Sequence, residues 1–259
     1  MAVNKLQTNV QAISNNGGKP LVCTPLIGRD TQELINEIEI LVEKQPDVIE
    51  WRADFYARLS ETEKVLETAQ LLKEKAVGIP LLFTIRSERE GGEVISLSED
   101  EKVKLLITLC EKKSVEAIDY ELMNDLKHMK QVSTAAKANG LSLIVSYHHF
   151  QETPDNEKMV RILTNAESVG ADIAKIAVMP QSLEDALRLL SATLQAKKQI
   201  DVPIISMAMG EYGAFTRMVG GLFGSVMTFA IGKESSAPGQ VELTDLHAVL
   251  SVVHSKNID

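Results

Sequence analysis

The stretch Gly170-Ala171-Asp172-Ile173-Ala174-Lys175-Ile176-Ala177-Val178-Met179-Pro180 decides the reading of the fold. Its centre, Ala171 to Ile176, is short, apolar and bounded by glycine and proline, the pattern of a buried strand. From Leu183 to Lys197 follows an amphipathic helical run, with Ser182 in place as an N-cap acceptor. Strand, loop and helix form one unit, and the unit recurs in both directions along the chain. Earlier strand-like runs are Leu21 to Thr24, Val48 to Arg52, Leu81 to Arg86, Glu116 to Tyr120 and Ser142 to His148; later ones are Pro203 to Met207 and Val226 to Ala230. Helical periodicity fills the gaps, from Thr31 to Glu43, Glu61 to Lys75, Glu99 to Lys112, Asp125 to Ala138, Asn156 to Ser168 and Thr244 to His254. The segment Phe215 to Phe223 is glycine-interrupted and less regular.

Eight strand-then-helix units without a break in composition predict a (β/α)8 TIM barrel, one domain over residues 1–259. The competing doubly wound sheet usually has a glycine-rich phosphate turn after its first strand, and Thr24-Pro25-Leu26-Ile27-Gly28-Arg29 is not one. Residues 3–18 end in Asn15-Asn16-Gly17-Gly18 and read as an N-terminal β-hairpin, because Asn and Gly tolerate positive φ.

The chain has 259 residues, 44% hydrophobic and 24% charged, a composition typical of globular proteins. A formal net charge of -9 gives no overall attraction to nucleic acid or an anionic membrane, so an anionic substrate needs local arginines. The two cysteines, Cys23 and Cys110, are far apart and form no zinc pattern, which suits a reducing cytoplasm. No membrane span is expected, since no run of about eighteen apolar residues occurs. The first nine residues also lack the apolar run of a secretory signal.

In such a barrel the site lies at the C-terminal ends of the strands. Polar side chains collect there. Glu50 and Arg52 share one side of strand two, Arg86 closes strand three, and His148 and His149 close strand five with only one able to face inward. Lys175 stands on strand six, and Met207 and Met209 on or just after strand seven. Each alone has a bland reading: a snorkelling lysine, a structural ion pair, a hydrogen-bonded core histidine, methionine as core filler. Their coincidence at one end of one barrel favours chemistry. A lysine amine attacks a ketone to give an iminium that acidifies the next carbon, a histidine moves the proton, a carboxylate orients the ring, and arginines grip a substrate carboxylate. Lys175, His148, Glu90 and the arginines thus suit a dehydratase acting on a hydroxylated keto acid.

The motifs Glu50-Trp51-Arg52, Phe83-Thr84-Ile85-Arg86, Glu90-Gly91-Gly92, Ser146-Tyr147-His148, Ala174-Lys175-Ile176, Ser206-Met207-Ala208-Met209, Arg217 and Ser235-Ser236-Ala237-Pro238-Gly239-Gln240 stand in this order along the chain. On them the sequence resembles the type I 3-dehydroquinate dehydratases of the shikimate pathway, over essentially its whole length. The resemblance implies dehydration of 3-dehydroquinate to 3-dehydroshikimate through an imine, without metal or organic cofactor. By motif position Lys175 would form the Schiff base, His148 would shuttle the proton and Glu90 would orient His148. Arg217 would clamp the carboxylate, with Ser236, Ala237 and Gln240 closing from the lid. Glu50, Arg52 and Arg86 would hold the ring hydroxyls, and Met207, Met209 and Phe229 would form an apolar wall. The resemblance further implies a homodimer and an N-terminal hairpin plugging the base of the barrel. A class I aldolase for sugar phosphates and a non-catalytic metabolite-binding barrel are the alternatives, the first separable by substrate and the second by tolerance to loss of Lys175 or His148.

Overall fold

Residues i and i+2 of a strand face the same side of its sheet, so each strand here presents one inward and one outward series. The computed structural model describes residues 5–16, 18–233 and 237–255. Its strands are β1 (Leu21–Leu26), β2 (Val48–Arg52), β3 (Leu81–Thr84), β4 (Ala117–Glu121), β5 (Ser142–His149), β6 (Ile173–Val178), β7 (Ile204–Ala208), β8 (Met227–Ile231) and the two-residue β9 (Val241–Glu242). All neighbours pair in parallel, in the order β7-β6-β5-β4-β3-β2-β1-β8-β9. The ring closes between β7 and β8, where Ile204 and Ser225 form a parallel bridge and the Val226 N–H donates to the Ile204 carbonyl at 2.8 Å. The expected (β/α)8 barrel is the observed fold.

The crossover helices are α2 (Thr31–Lys44), α3 (Thr62–Lys75), α4 (Glu99–Lys112), α5 (Leu126–Asn139), α6 (Asn156–Ser168) and α7 (Leu183–Ala196), with α10 (Leu243–Val253) after β9. Local chemistry fixes their starts. Ser98 and Glu101 form a reciprocal capping box on α4, and the Ser182 side chain accepts from the Asp185 N–H on α7. At α5 the Asp125 side chain accepts from the Lys127 N–H. The outward strand residues pack under these helices, as where Trp51 meets Phe83 and Tyr56 edge-on at 5.2 and 5.5 Å.

Inside the barrel a bottom layer takes one residue from each of β1 to β8: Cys23, Val48, Leu82, Ala117, Ile144, Ile173, Ile205 and Met227, all fully buried. The N-terminal segment joins this layer as a helix, α1 (Lys5–Asn16), and not as the expected hairpin. Leu6, Val10 and Ile13 recur at helical spacing, and Leu6 and Val10 are buried against the bottom layer. The hairpin reading gave weight to the turn chemistry of Asn15-Asn16-Gly17-Gly18 and overlooked this period. Residues 3, 4 and 17 of that reading lie outside the described residues. Between β7 and β8 the chain forms two single turns, α8 (Gly210–Gly213) and α9 (Thr216–Val219), then a 3-10 turn over Gly220–Phe223.

Candidate active site

Two residues up from the bottom layer, the inward positions change character. Glu50 follows Val48, Thr84 follows Leu82, Asp119 follows Ala117, Ser146 follows Ile144 and Lys175 follows Ile173. Met207 and Phe229 occupy the same level on β7 and β8. One step further stand Arg52, Arg86, Glu121, His148 and Met209. The strand period that fills the base with methyl groups therefore sets a polar layer at the mouth.

Lys175 is 4% exposed. Its Nζ donates to Asp119 Oδ2 at 3.3 Å, lies 4.0 Å from Glu50 Oε1, and sits 4.5 Å from the centre of the Phe229 ring. Asp119 also accepts from Ser146 Oγ at 2.6 Å and from Arg86 Nη2 at 2.8 Å. Burial works against the charge on Asp119, but Arg86, Lys175 and the Ser146 hydroxyl outweigh it and hold the carboxyl below the usual range. Glu50 accepts from the Thr84 hydroxyl at 2.8 Å.

Glu90 comes from a 3-10 turn, Glu88–Glu90, beyond β3. The turn ends on Gly91 at φ 81°, where a Cβ would fall 2.2 Å from the Phe150 ring, so only glycine fits. This close approach seats Glu90 Oε2 2.9 Å from His148 Nδ1 and 3.1 Å from the His148 N–H, which donates to it. Burial, then Glu121, pushes the Glu90 carboxyl up to about 8, with Arg86 opposing. Burial, then Arg86 and Lys175, holds the His148 imidazole well below its ordinary range. Both shifts disfavour the charged form, so the 2.9 Å contact joins two groups that each resist ionisation, and which atom donates depends on the ring tautomer. Among the described residues His148 Nε2 has no hydrogen-bond partner, whereas His149 turns away and accepts from the Glu152 N–H at 3.2 Å.

The arginines differ in their freedom. Arg52 sends Nε and Nη2 to the two oxygens of Asp54, each at 2.8 Å. Arg86 is held by Asp119, Glu121 and Ser146. Arg217, in α9 and 2% exposed, meets only the carbonyls of Gly239, Phe229 and Pro238 at 2.9, 3.3 and 3.2 Å and the Met207 sulfur at 3.5 Å. Among the described residues no carboxylate reaches it, and burial alone brings it down to about 10. A buried cation without a counter-ion is costly, and an incoming carboxylate supplies one.

These groups line one pocket that opens to solvent. Twelve of the thirteen expected site residues border it, including Ala237 and Gln240 from the segment after β8. Ser236, the thirteenth, lies outside the described residues. Gly91, Phe150 and Ala177 border it as well.

Residues 22–257 match the profile of the type I 3-dehydroquinase family. The chain belongs to the type I 3-dehydroquinase family, whose members are hydro-lyases. It is 48% identical to the 3-dehydroquinate dehydratase of Aromatoleum aromaticum over 238 residues, 92% of either chain. It is 44% identical to that of Geobacillus thermodenitrificans over 98% of either chain. Among solved structures, the 3-dehydroquinate dehydratase of Geobacillus kaustophilus superposes with a TM-score of 0.90 at 44% identity, covering 92% of both chains. The type I enzyme of Clostridium difficile, described with covalently modified comenic acid, gives 0.88 at 38% identity, covering 92% of this chain and 93% of that one.

Sequence reasoning missed part of this 3-dehydroquinase site. Asp119, Glu121, Asp54, Ser146 and Thr84 each bond directly to an expected residue. The signal for four of them was present in the period of two. Asp119 and Glu121 alternate inward after Ala117, and Thr84 and Ser146 stand on the inward series of β3 and β5. Only Asp54, beyond the end of β2, falls outside that pattern.

Proposed function

We propose that this chain converts 3-dehydroquinate to 3-dehydroshikimate and water through an imine on Lys175. The observation that carries the reading is the cavity itself, in which a buried amine and the His148–Glu90 pair face the same space as Arg217. Arg217 binds the substrate carboxylate and gains the anion it lacks. Arg52, Arg86 and Glu50 stand toward the ring hydroxyls, Met207, Met209 and Phe229 wall the apolar edge, and Ala237 and Gln240 cover the mouth; Ser236 is assigned to substrate binding by the resemblance alone.

The free amine of Lys175 attacks the ketone carbon, and the carbinolamine loses its oxygen as water, with protons supplied through His148. The iminium then draws electrons from the neighbouring C–H bond as His148 takes the proton and an enamine forms. The enamine expels the β-hydroxyl, which leaves as water with that proton, and a conjugated iminium remains. A water molecule hydrolyses it, frees Lys175 and restores the ketone, so one water is lost overall. With its carboxylate accepting from Nδ1–H, Glu90 leaves Nε2 of His148 as the lone pair toward substrate. The iminium is itself the electron sink, so the route needs no metal or organic cofactor. The covalently modified comenic acid described with the Clostridium difficile relative supports covalent chemistry in this fold.

The reading extends to one barrel domain from the repeated units, a homodimer from the resemblance and a cytoplasmic setting from the two unpaired cysteines. In accord with it, no helix of the described residues is long and apolar enough to cross a membrane. Borohydride added with 3-dehydroquinate should fix a reduced adduct on Lys175, found by peptide mass mapping. An adduct on another lysine, or none during turnover, sinks the mechanism.

A further inference from the structure

We propose that Glu121 is a positioning residue for this reaction: it draws Arg86 away from Glu90 and leaves Glu90 to pair with His148. The inference rests on the Lys175–His148 reading above. Glu121 ends β4, is 1% exposed and does not border the cavity, so it touches no substrate. Its Oε1 accepts from the Ser87 N–H at 2.8 Å and from Arg86 Nη1 at 3.2 Å, and its Oε2 faces Arg89 Nη2 at 3.3 Å.

The geometry is a competition for one guanidinium edge. Arg86 Nη1 lies 3.7 Å from Glu90 Oε2, beyond hydrogen-bond reach, while it bonds Glu121 and Ser146. Its Nη2 is taken by Asp119 at 2.8 Å. Glu90 is left with the N–H and Nδ1 of His148. A purely structural ion pair needs no more than the Arg86 contact. Glu121 in addition holds Ser87, the residue that leads into the Glu88–Glu90 turn, so it fixes both the cation and the start of the segment carrying Glu90.

The charges around the pair agree with this arrangement. Glu90 is faced by Arg86 and Arg89 from its own segment, by Asp119 and Glu121 from β4, and by Tyr147 and His148 from β5. Glu121 is faced by Arg86, Arg89, Tyr120 and by Lys102 of α4. Burial and then Glu121 raise the Glu90 carboxyl, whereas burial opposes the charge of Glu121 and Arg86 and Ser87 overcome it. Glu121 thus stays ionised and, after burial, is what most holds the neighbouring Glu90 carboxyl up. Without its charge, Arg86 turns to Glu90, and the pair releases its proton at lower pH.

The test compares parent, Glu121→Gln and Glu121→Asp. The glutamine keeps the shape and can still accept from Ser87, but it removes the charge. For Glu121→Gln the acidic limb of the kcat/KM profile should move to lower pH by roughly one unit, with plateau KM within about twofold of the parent. Glu121→Asp keeps the charge and should return the limb most of the way. An unmoved limb in a folded Glu121→Gln protein, or a limb that shifts equally in the aspartate, overturns the inference. A change confined to the thermal midpoint assigns Glu121 a structural role only. Borohydride trapping on the same samples separates the two levels. Failure to trap Lys175 in the parent refutes the underlying mechanism, and trapping with an unmoved limb refutes the role of Glu121 alone.

Discussion

Replacing Arg217 with glutamine tests the substrate reading through a quantity that the free protein does not use. Arg217 is 2% exposed and has carbonyl and sulfur contacts but no carboxylate partner among the described residues. Losing its charge therefore breaks no ion pair among the described residues. Glutamine can still donate two hydrogen bonds to the carbonyls of Gly239, Pro238 or Phe229. The unfolding midpoint should accordingly stay within about 4 °C of the parent, a span that corresponds to 1–2 kcal/mol for a chain of this length. With substrate bound the position is different, because the substrate carboxylate then loses its buried partner, at a cost of roughly 3–5 kcal/mol. At about 1.4 kcal/mol per factor of ten, kcat/KM should fall roughly 100- to 3,000-fold. The assay is the steady-state rise in ultraviolet absorbance as the new double bond conjugates with the carbonyl, with circular dichroism confirming the fold. Arg217→Lys, which keeps the charge but loses the two-pronged geometry, should lie between. Glutamine at 217 with kcat/KM within threefold of the parent would refute Arg217 as the carboxylate seat.

Two further expectations concern stability. Glu90 has its carboxyl raised to about 8 in the folded protein, so its contribution to stability is full below the ordinary glutamate range and is lost as pH rises through about 8. Glu90→Gln should gain on the parent in urea denaturation from pH 5 to pH 9, and a difference constant with pH contradicts the cited shift. Leu6→Ala removes a fully buried side chain that closes the barrel base, at a cost of roughly 2–5 kcal/mol. That should lower the thermal midpoint by roughly 5–10 °C, and a drop under about 2 °C would mean that α1 does not close the base.

Most of the architecture was legible because it rests on short-range signals. Eight apolar runs, all but Glu116 to Tyr120 with glycine or proline close before them and most followed by a period near 3.6, need only local sterics and burial to be read. That Glu50 and Arg52 share one side, and that only one of His148 and His149 faces inward, followed from the period of two; the choice of His148 came from the resemblance. The same rule held Asp119 and Glu121, which were passed over because a carboxylate on an apolar strand carries no mark of its partner. The N-terminal segment shows the opposite failure. Its turn residues were conspicuous, but the 6, 10, 13 spacing of Leu6, Val10 and Ile13 decides the structure once there is a barrel base to bury them.

By itself the sequence determined the barrel, the end at which the site lies, and the residue types that chemistry there requires. Only the tertiary structure decided who pairs with whom. Strand register sets Lys175 beside Asp119 from residues 56 apart in the chain, and gives Arg86 to Glu121 in preference to Glu90. It leaves Arg217 as the buried cation without a carboxylate among the described residues. The physical reason is that electrostatic partnership falls off with distance in space and is sharpened by burial. Spacing along a chain fixes neither until the ring of strands has closed.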